Sequence, residues 1–152
     1  MIDRIRRFFD TRLAPAASGS ETHRLHLATA ALMLEVGRAD FHVRDEELAV
    51  IADALRRSFG LSDAEVDELL DVARAESDDL LSLHPLVRLV NENFDAVQKR
   101  RMVEDLWRVA CADGHIDAQE EYQIRKIADL LYVPHVDFIR AKHRAMDEGG
   151  EK

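Results

Sequence analysis

The sequence predicts an all-α protein, and three observations carry that prediction. Gly and Pro are scarce, six and three residues in a chain of 152, so few positions interrupt a helix. Apolar residues recur at three- and four-residue spacing along nearly the whole chain, among Ala, Leu, Arg, Glu and Asp. No segment alternates apolar and polar residues with the period of two that marks a half-buried strand. At 47% hydrophobic residues, the chain can bury a core rather than stay disordered.

Taken in order, residues 2–12 form a short amphipathic helix. Ile2, Ile5, Phe8 and Phe9 share one face, and Arg4, Arg6, Arg7 and Arg12 mostly occupy the other. Pro15-Ala16-Ala17-Ser18-Gly19-Ser20 then reads as flexible. The expected organisation is an N-terminal helix over 1–13, a linker over 14–20, a helical domain over 21–146 and a disordered tail over 147–152. On that organisation the first helix is an appendage, dispensable for folding.

A helix over 21–38 places Leu25, Ala28, Leu32, Met33 and Val36 inward, and breaks near Asp40-Phe41-His42. The next, over 44–59, turns Leu48, Ile51, Leu55 and Phe59 inward, and Gly60 caps it. Ser62 starts another as its N-cap, with Glu65 completing a capping box. That helix buries Val66, Leu69, Leu70 and Val72, while 62–82 carries eight acidic residues against Arg74 alone. His84-Pro85 is a boundary, because the residue before proline avoids the helical region. Short and long helices follow over 86–93 and 95–112, the second burying Val103, Leu106, Trp107 and Ala110. After a break at 113–116, a helix covers 117–131, and Pro134 opens the last at its first turn.

Charge and composition exclude several functions. The formal charge is −9, and an acidic chain lacks the basic face that phosphate neutralisation needs, so no nucleic-acid partner is expected. No apolar run approaches a membrane span, and the N-terminus has no apolar signal core. One cysteine rules out a disulfide scaffold and fits a reducing, cytoplasmic location.

The two halves of the chain align at an offset of 73. Ala39-Asp40-Phe41-His42-Val43 lies over Ala112-Asp113-Gly114-His115-Ile116, Glu47 over Glu120 and Ile51 over Ile124. Downstream the offset slips to 72, with Leu61 over Val133 and Val66 over Phe138. Each half is thus a helix, a tight loop and two more helices. Such a duplication is expected to pack with pseudo-two-fold symmetry, the loops facing each other.

At this point the residues resemble a known family. Ala112-Asp113-Gly114-His115-Ile116-Asp117-Ala118-Gln119-Glu120 resembles the A-D-G-x-[IV]-x-x-x-E motif of the TerB-like family. The stretches Ile124–Leu131 and Asp137–Lys142 are similar to its uncharacterised bacterial branch. The resemblance covers roughly residues 21–145. The first-half motif departs from the pattern, with Phe41 where a glycine is expected. The resemblance implies an all-helical fold of about seven helices, a link to tellurite resistance and stress response, and an acidic metal site. It implies no enzyme activity.

Asp40 and Asp113 stand at helix C-termini, where a carboxylate meets the negative end of the helix dipole at a cost of about 0.3–1 kcal/mol. Recurrence at one offset suggests compensation by a cation or a basic side chain. Glu47 and Glu120 follow seven residues later, on the first turns of the next helices. Four converging carboxylates would suit Ca²⁺, Mg²⁺ or Mn²⁺. The spacing is not that of an EF-hand: counting from Asp113, position six is Ala118 and position twelve Ile124. A structural reading competes with this one. Asp117 would be an N-cap with Glu120 as its capping-box partner, Gly114 a left-handed C-cap, and Val43 a staple to Leu48 across an Arg44 cap. Phe41 in a left-handed conformation would cost about 1–2 kcal/mol, so the first loop is expected to differ in shape.

Other residues carry weaker signals. His42 and His115 read as loop residues, His23 and His26 as surface residues, Cys111 as an inert thiol, and Trp107 and Phe94 as core. Lys99-Arg100-Arg101 is a short basic run read as solvated. The Arg-rich first helix suggests weak peripheral membrane contact, or docking on its own domain or on a partner. No catalytic constellation is evident. The functional expectation is a module with a divalent-cation site at Asp40, Glu47, Asp113 and Glu120 that engages a protein partner. The alternative is a metal-free interaction domain using its acidic helical surface.

Overall fold

The computed structural model describes residues 2–14, 20–41, 43–76, 85–111 and 118–150. Among them every regular element is helical. The chain divides into two compact units, Met1–Asn93 and Phe94–Lys152, where the sequence predicts one helical domain over 21–146.

The first unit opens with α1 (Ile2–Phe8), which runs into a π-helical turn, Phe9–Leu13. Then come α2 (Glu21–Phe41), α3 (Asp45–Phe59), α4 (Asp63–Glu76) and α5 (Pro85–Asn93). The centre is α2, buried on most of its circumference: Leu25, Leu27, Ala28, Ala30, Ala31, Leu32, Leu34 and Val36 are all inside. It packs against α3, α4, α5 and the π turn. A helix apolar all round needs neighbours all round. Here they include the N-terminal segment, for Ile5, Phe8, Phe9 and Leu13 are each at most 5% exposed. The first helix is therefore docked in the core of this unit rather than appended to it, and α1 also meets α4 and α5. Ile5, Phe8, Phe9 and Leu13 are thus covered by the protein itself. Residues 15–19 of the expected linker lie outside the described residues.

The helix ends follow local chemistry. Ser20 accepts the His23 N–H at its Oγ (3.1 Å) and the Arg24 N–H at its carbonyl (3.0 Å), which starts α2. Gly60 takes the left-handed conformation, φ 65°, and the Leu61 N–H returns to the Arg56 carbonyl at 3.0 Å. That 6→1 bond is the Schellman pattern. The Ser62–Glu65 capping box forms in both directions: Ser62 N–H to Glu65 Oε1 at 2.8 Å, and Glu65 N–H to Ser62 Oγ at 3.1 Å. At the N-terminus of α5 the buried Glu35 of α2 accepts the Leu86 N–H at 3.3 Å. A carboxylate there satisfies a donor that the helix cannot and faces the positive end of its dipole.

The second unit contains α6 (Ala96–Cys111), α7 (Ala118–Leu130) and α8 (His135–Gly150). α6 packs chiefly on α8 and also on α7. Trp107 and Phe138 anchor the core with ring centroids 5.3 Å apart, an aromatic tilt that adds to area burial. Lys142 of α8 sits over the Trp107 ring and donates to Glu121 of α7 at 3.2 Å. Asp95 and Gln98 cap α6 reciprocally, at 2.9 and 2.8 Å. α8 runs to Gly150, through a stretch expected to be disordered. Its start is one residue later than predicted, with the Pro134 carbonyl accepting the Asp137 and Phe138 N–H groups.

Tyr132 has φ 60°, the left-handed conformation again. The Val133 N–H bonds the Ala128 carbonyl at 2.9 Å. Gly60 and Tyr132 thus close equivalent turns, and the residues after them, Leu61 and Val133, are both buried.

Candidate functional site

The four predicted carboxylates receive different placements. Asp40 lies in the last turn of α2, because α2 continues through Phe41 instead of stopping at Arg38. Phe41 is helical, so the strained left-handed turn that a glycine would serve does not arise there. After it the Val43 N–H reaches back to the Gly37 carbonyl at 3.3 Å, and Arg38 Nη1 donates to the Val43 carbonyl (3.4 Å) and to the Asp45 carboxylate. A basic side chain therefore joins the end of α2 to the start of α3.

Glu47 lies in the first turn of α3 and is exposed. Its Oε1 accepts the Arg44 N–H at 3.0 Å and Arg44 Nε at 3.3 Å. The backbone bond, then the guanidinium bond, hold this carboxyl below the usual range. Glu47 thus makes the capping box of α3, with Arg44 as its N-cap. A carboxylate bonded to two donors of one arginine offers less to a cation, and Arg38 and Arg44 add positive charge to the same loop.

Asp113 lies outside the described residues, as do His42, His115 and the Asp117 cap position. Glu120 is half-buried in the first turn of α7. Among the described residues no three metal-ligating side chains gather in one place. Cys111 is half-buried. His26 is no simple surface residue: its ring stacks on Phe59 with centroids 4.5 Å apart.

A polar cluster that the sequence did not announce joins the N-terminal segment, α2 and α4. Arg12 of the π turn makes a two-pronged bond to Glu68, Nε to Oε1 at 2.9 Å and Nη2 to Oε2 at 2.7 Å. Glu65, on the same side of α4, is 8% exposed. Its Oε1 takes the Ser62 N–H, and its Oε2 lies 2.8 Å from His23 Nε2 and 3.9 Å from Arg12 Nη1. Burial pushes the Glu65 carboxyl up, but the Ser62 and His23 bonds outweigh it, and the net direction is down. These contacts span 42 and 56 residues of sequence, so no local pattern signals them.

The opposite stripe of α4 is different. Asp63, Asp67 and Asp71 succeed one another at four-residue spacing, and all three are exposed. Like charges at this spacing destabilise a helix by about 0.2–0.5 kcal/mol per pair. The 77–82 continuation of the acidic segment lies outside the described residues. Among the described residues no helix is long and apolar enough to cross a membrane.

The helices, their caps and these charged faces define a small all-α protein of two helical units with a strongly polar exterior. The family model described as tellurite resistance protein TerB matches residues 26–143, and the chain belongs to that family. The match begins inside α2, so α1 and the π turn lie outside it although they are packed in the core. No curated protein and no solved structure matches the chain.

Proposed function

We propose that this TerB-family chain is a protein-binding module and that the acidic stripe of α4 is its contact surface, meeting a basic surface of its partner. The observation that carries this reading is the division of labour on one helix. Glu65 and Glu68 hold the N-terminal segment, whereas Asp63, Asp67 and Asp71 crowd like charge along the exposed side. A row of exposed carboxylates offers a basic partner complementary charge, which speeds encounter and fixes orientation. The family's name ties the module to tellurite resistance, which supplies a phenotype to score.

The test replaces Asp67 and Asp71 by Asn, leaving Asp63 to serve the N-terminus of α4. The variant should keep its stability to within about 0.5 kcal/mol. It should lose the partner that wild-type protein captures, and fail to restore tellurite tolerance to a deletion strain. Unchanged capture with the double variant would sink the reading.

A second reading keeps a divalent cation at Asp40, Glu47, Asp113 and Glu120. What favours it is the recurrence of an Asp–Glu pair at one spacing in both units. Calorimetric titration of chelator-treated protein with Ca²⁺, Mg²⁺ and Mn²⁺ tests it. On this reading Asp113→Asn abolishes the heat of binding and leaves the metal-free protein as stable as before. A destabilised Asp113→Asn with no heat from wild type assigns Asp113 to structure.

A further inference from the structure

The second unit carries a feature that partner binding through α4 leaves unused. A groove of about 380 Å³ opens between α6 and α8, lined by Arg100, Glu104, Asp137, Arg140, Ala141 and Arg144. Its one apolar lining residue is the buried Ala141. The lining is otherwise charged, so the groove suits a polar ligand.

Its arginines are not equivalent. Arg144 is committed to Glu104, which Arg108 also approaches at 3.4 Å. Arg125 and Lys142 pair with Glu121, and Arg108 bonds Asp105 at 3.0 Å. Arg100 and Arg140, one on each wall, make no ion pair or side-chain hydrogen bond among the described residues. Arg100 is only half exposed. Arg140 is exposed, and the two side chains line one groove from different helices, each guanidinium bringing five donors to it. With Glu104 neutralised by Arg144, only Asp137 opposes them. This in a chain of net charge −9 is a local reversal of sign.

We propose that this groove is an oxyanion site that takes a phosphate group between Arg100 of α6 and Arg140 of α8. A carboxylate presents one planar edge and saturates one guanidinium fork. A tetrahedral phosphate presents oxygens in several directions and serves two forks on different helices at once. Free phosphate and a phosphate ester present the same group to the two arginines, and the experiment distinguishes them.

The full-length protein is titrated with inorganic phosphate and, separately, with glycerol 3-phosphate, followed by amide and arginine Nε resonances and by calorimetry. Saturable shifts centred on Arg100, Arg140 and Ala141 are expected with at least one of the two. A response to the ester alone identifies an esterified ligand; a response to both identifies the phosphate group itself. R100Q and R140Q should each weaken binding about tenfold, with thermal unfolding unchanged. D137N should tighten it, which a merely structural role for these side chains would not produce. R88Q, an exposed arginine of the first unit, should leave binding as it is. No saturable response to either compound at millimolar concentration overturns the proposal. So do shifts spread over the basic residues of both units, or equal weakening by R88Q.

Discussion

Gly60 in the first unit and Tyr132 in the second occupy the same point of the same turn. Each follows the last residues of its unit's second long helix, each is left-handed, and each is succeeded by a buried aliphatic residue whose N–H returns to a carbonyl five residues back. Gly60 adopts this conformation at no steric cost. Tyr132 does so against a preference of about 1–2 kcal/mol, with its side chain 79% exposed. The turn is therefore set by the helix end and by burial of Leu61 or Val133, not by the residue that must bend. The units differ more in what surrounds the turn. The first wraps α2 with α1, the π turn and α5, and it holds 18 acidic residues against 11 basic ones. Among its described residues the second has no counterpart of these elements, and its charge is nearly balanced, 12 against 10.

That contrast is broken most directly at the N-terminal segment. If α1 and the π turn are part of the first unit's core, Phe9→Ala should cost about 3–5 kcal/mol, the value for a buried aromatic truncated in a packed site. Phe9 is 3% exposed. Urea unfolding measures it. A cost under about 0.5 kcal/mol, the scale of surface substitutions, would return the segment to the status of an appendage. The result bears on the family as well, because residues 2–14 precede the matched span.

The parts of the fold that were legible in the sequence are those fixed by a few adjacent residues. Gly60, the Ser62–Glu65 box and the start at Pro85 are all local, and the inward face of α6 follows from spacing alone, whereas Val66 and Leu70 of α4 are only half-buried and α2 is buried nearly all round. Long-range partnerships were not legible. Nothing near His23 says that its ring meets Glu65, and nothing near Arg12 says that it grips Glu68. The length of α2 escaped for another reason: Ala39-Asp40-Phe41 contains no residue that stops a helix, so nothing local marks where α2 ends. Of the candidate cation site, Glu47 makes the capping box of α3, and a capping box and an Asp–Glu ligand pair draw on the same acidic residues at a helix start, so spacing alone does not separate the two.

A smaller effect probes how the first unit holds its extra segment. Glu65→Gln keeps an acceptor for the Ser62 N–H but removes the charge facing His23 and Arg12. The expected loss is about 1–3 kcal/mol at neutral pH, the range for disturbing a buried polar partner. Its pH dependence has a definite sign. The folded Glu65 carboxyl lies below its ordinary value of 4.5, so its contribution is present above that value and is lost as pH falls through the folded value. The gap between wild type and Glu65→Gln in chemical unfolding should therefore be full at neutral pH and close as the pH drops below 4.5. A gap that persists unchanged into strong acid would mean that shape rather than charge matters at this position.

The smallest expected effect sharpens the comparison of the two turns, because the same exchange in opposite directions should have opposite signs. At Gly60 a Cβ would meet nothing within 4 Å, so Gly60→Ala tests backbone strain alone. The strain of about 1–2 kcal/mol is offset by about 0.4–1 kcal/mol from a less flexible unfolded chain, which leaves a net loss on the order of 1 kcal/mol. Tyr132→Gly reverses both contributions and should stabilise the protein by a similar amount. Tyr132→Ala keeps a Cβ in the left-handed conformation and should change little, within about 0.5 kcal/mol. Thermal unfolding of the three variants separates the causes. Stabilisation by Gly but not by Ala assigns the effect to φ at position 132. If Ala and Gly both destabilise, the exposed ring of Tyr132 contributes to the fold, and the two turns are alike in backbone but not in energetics.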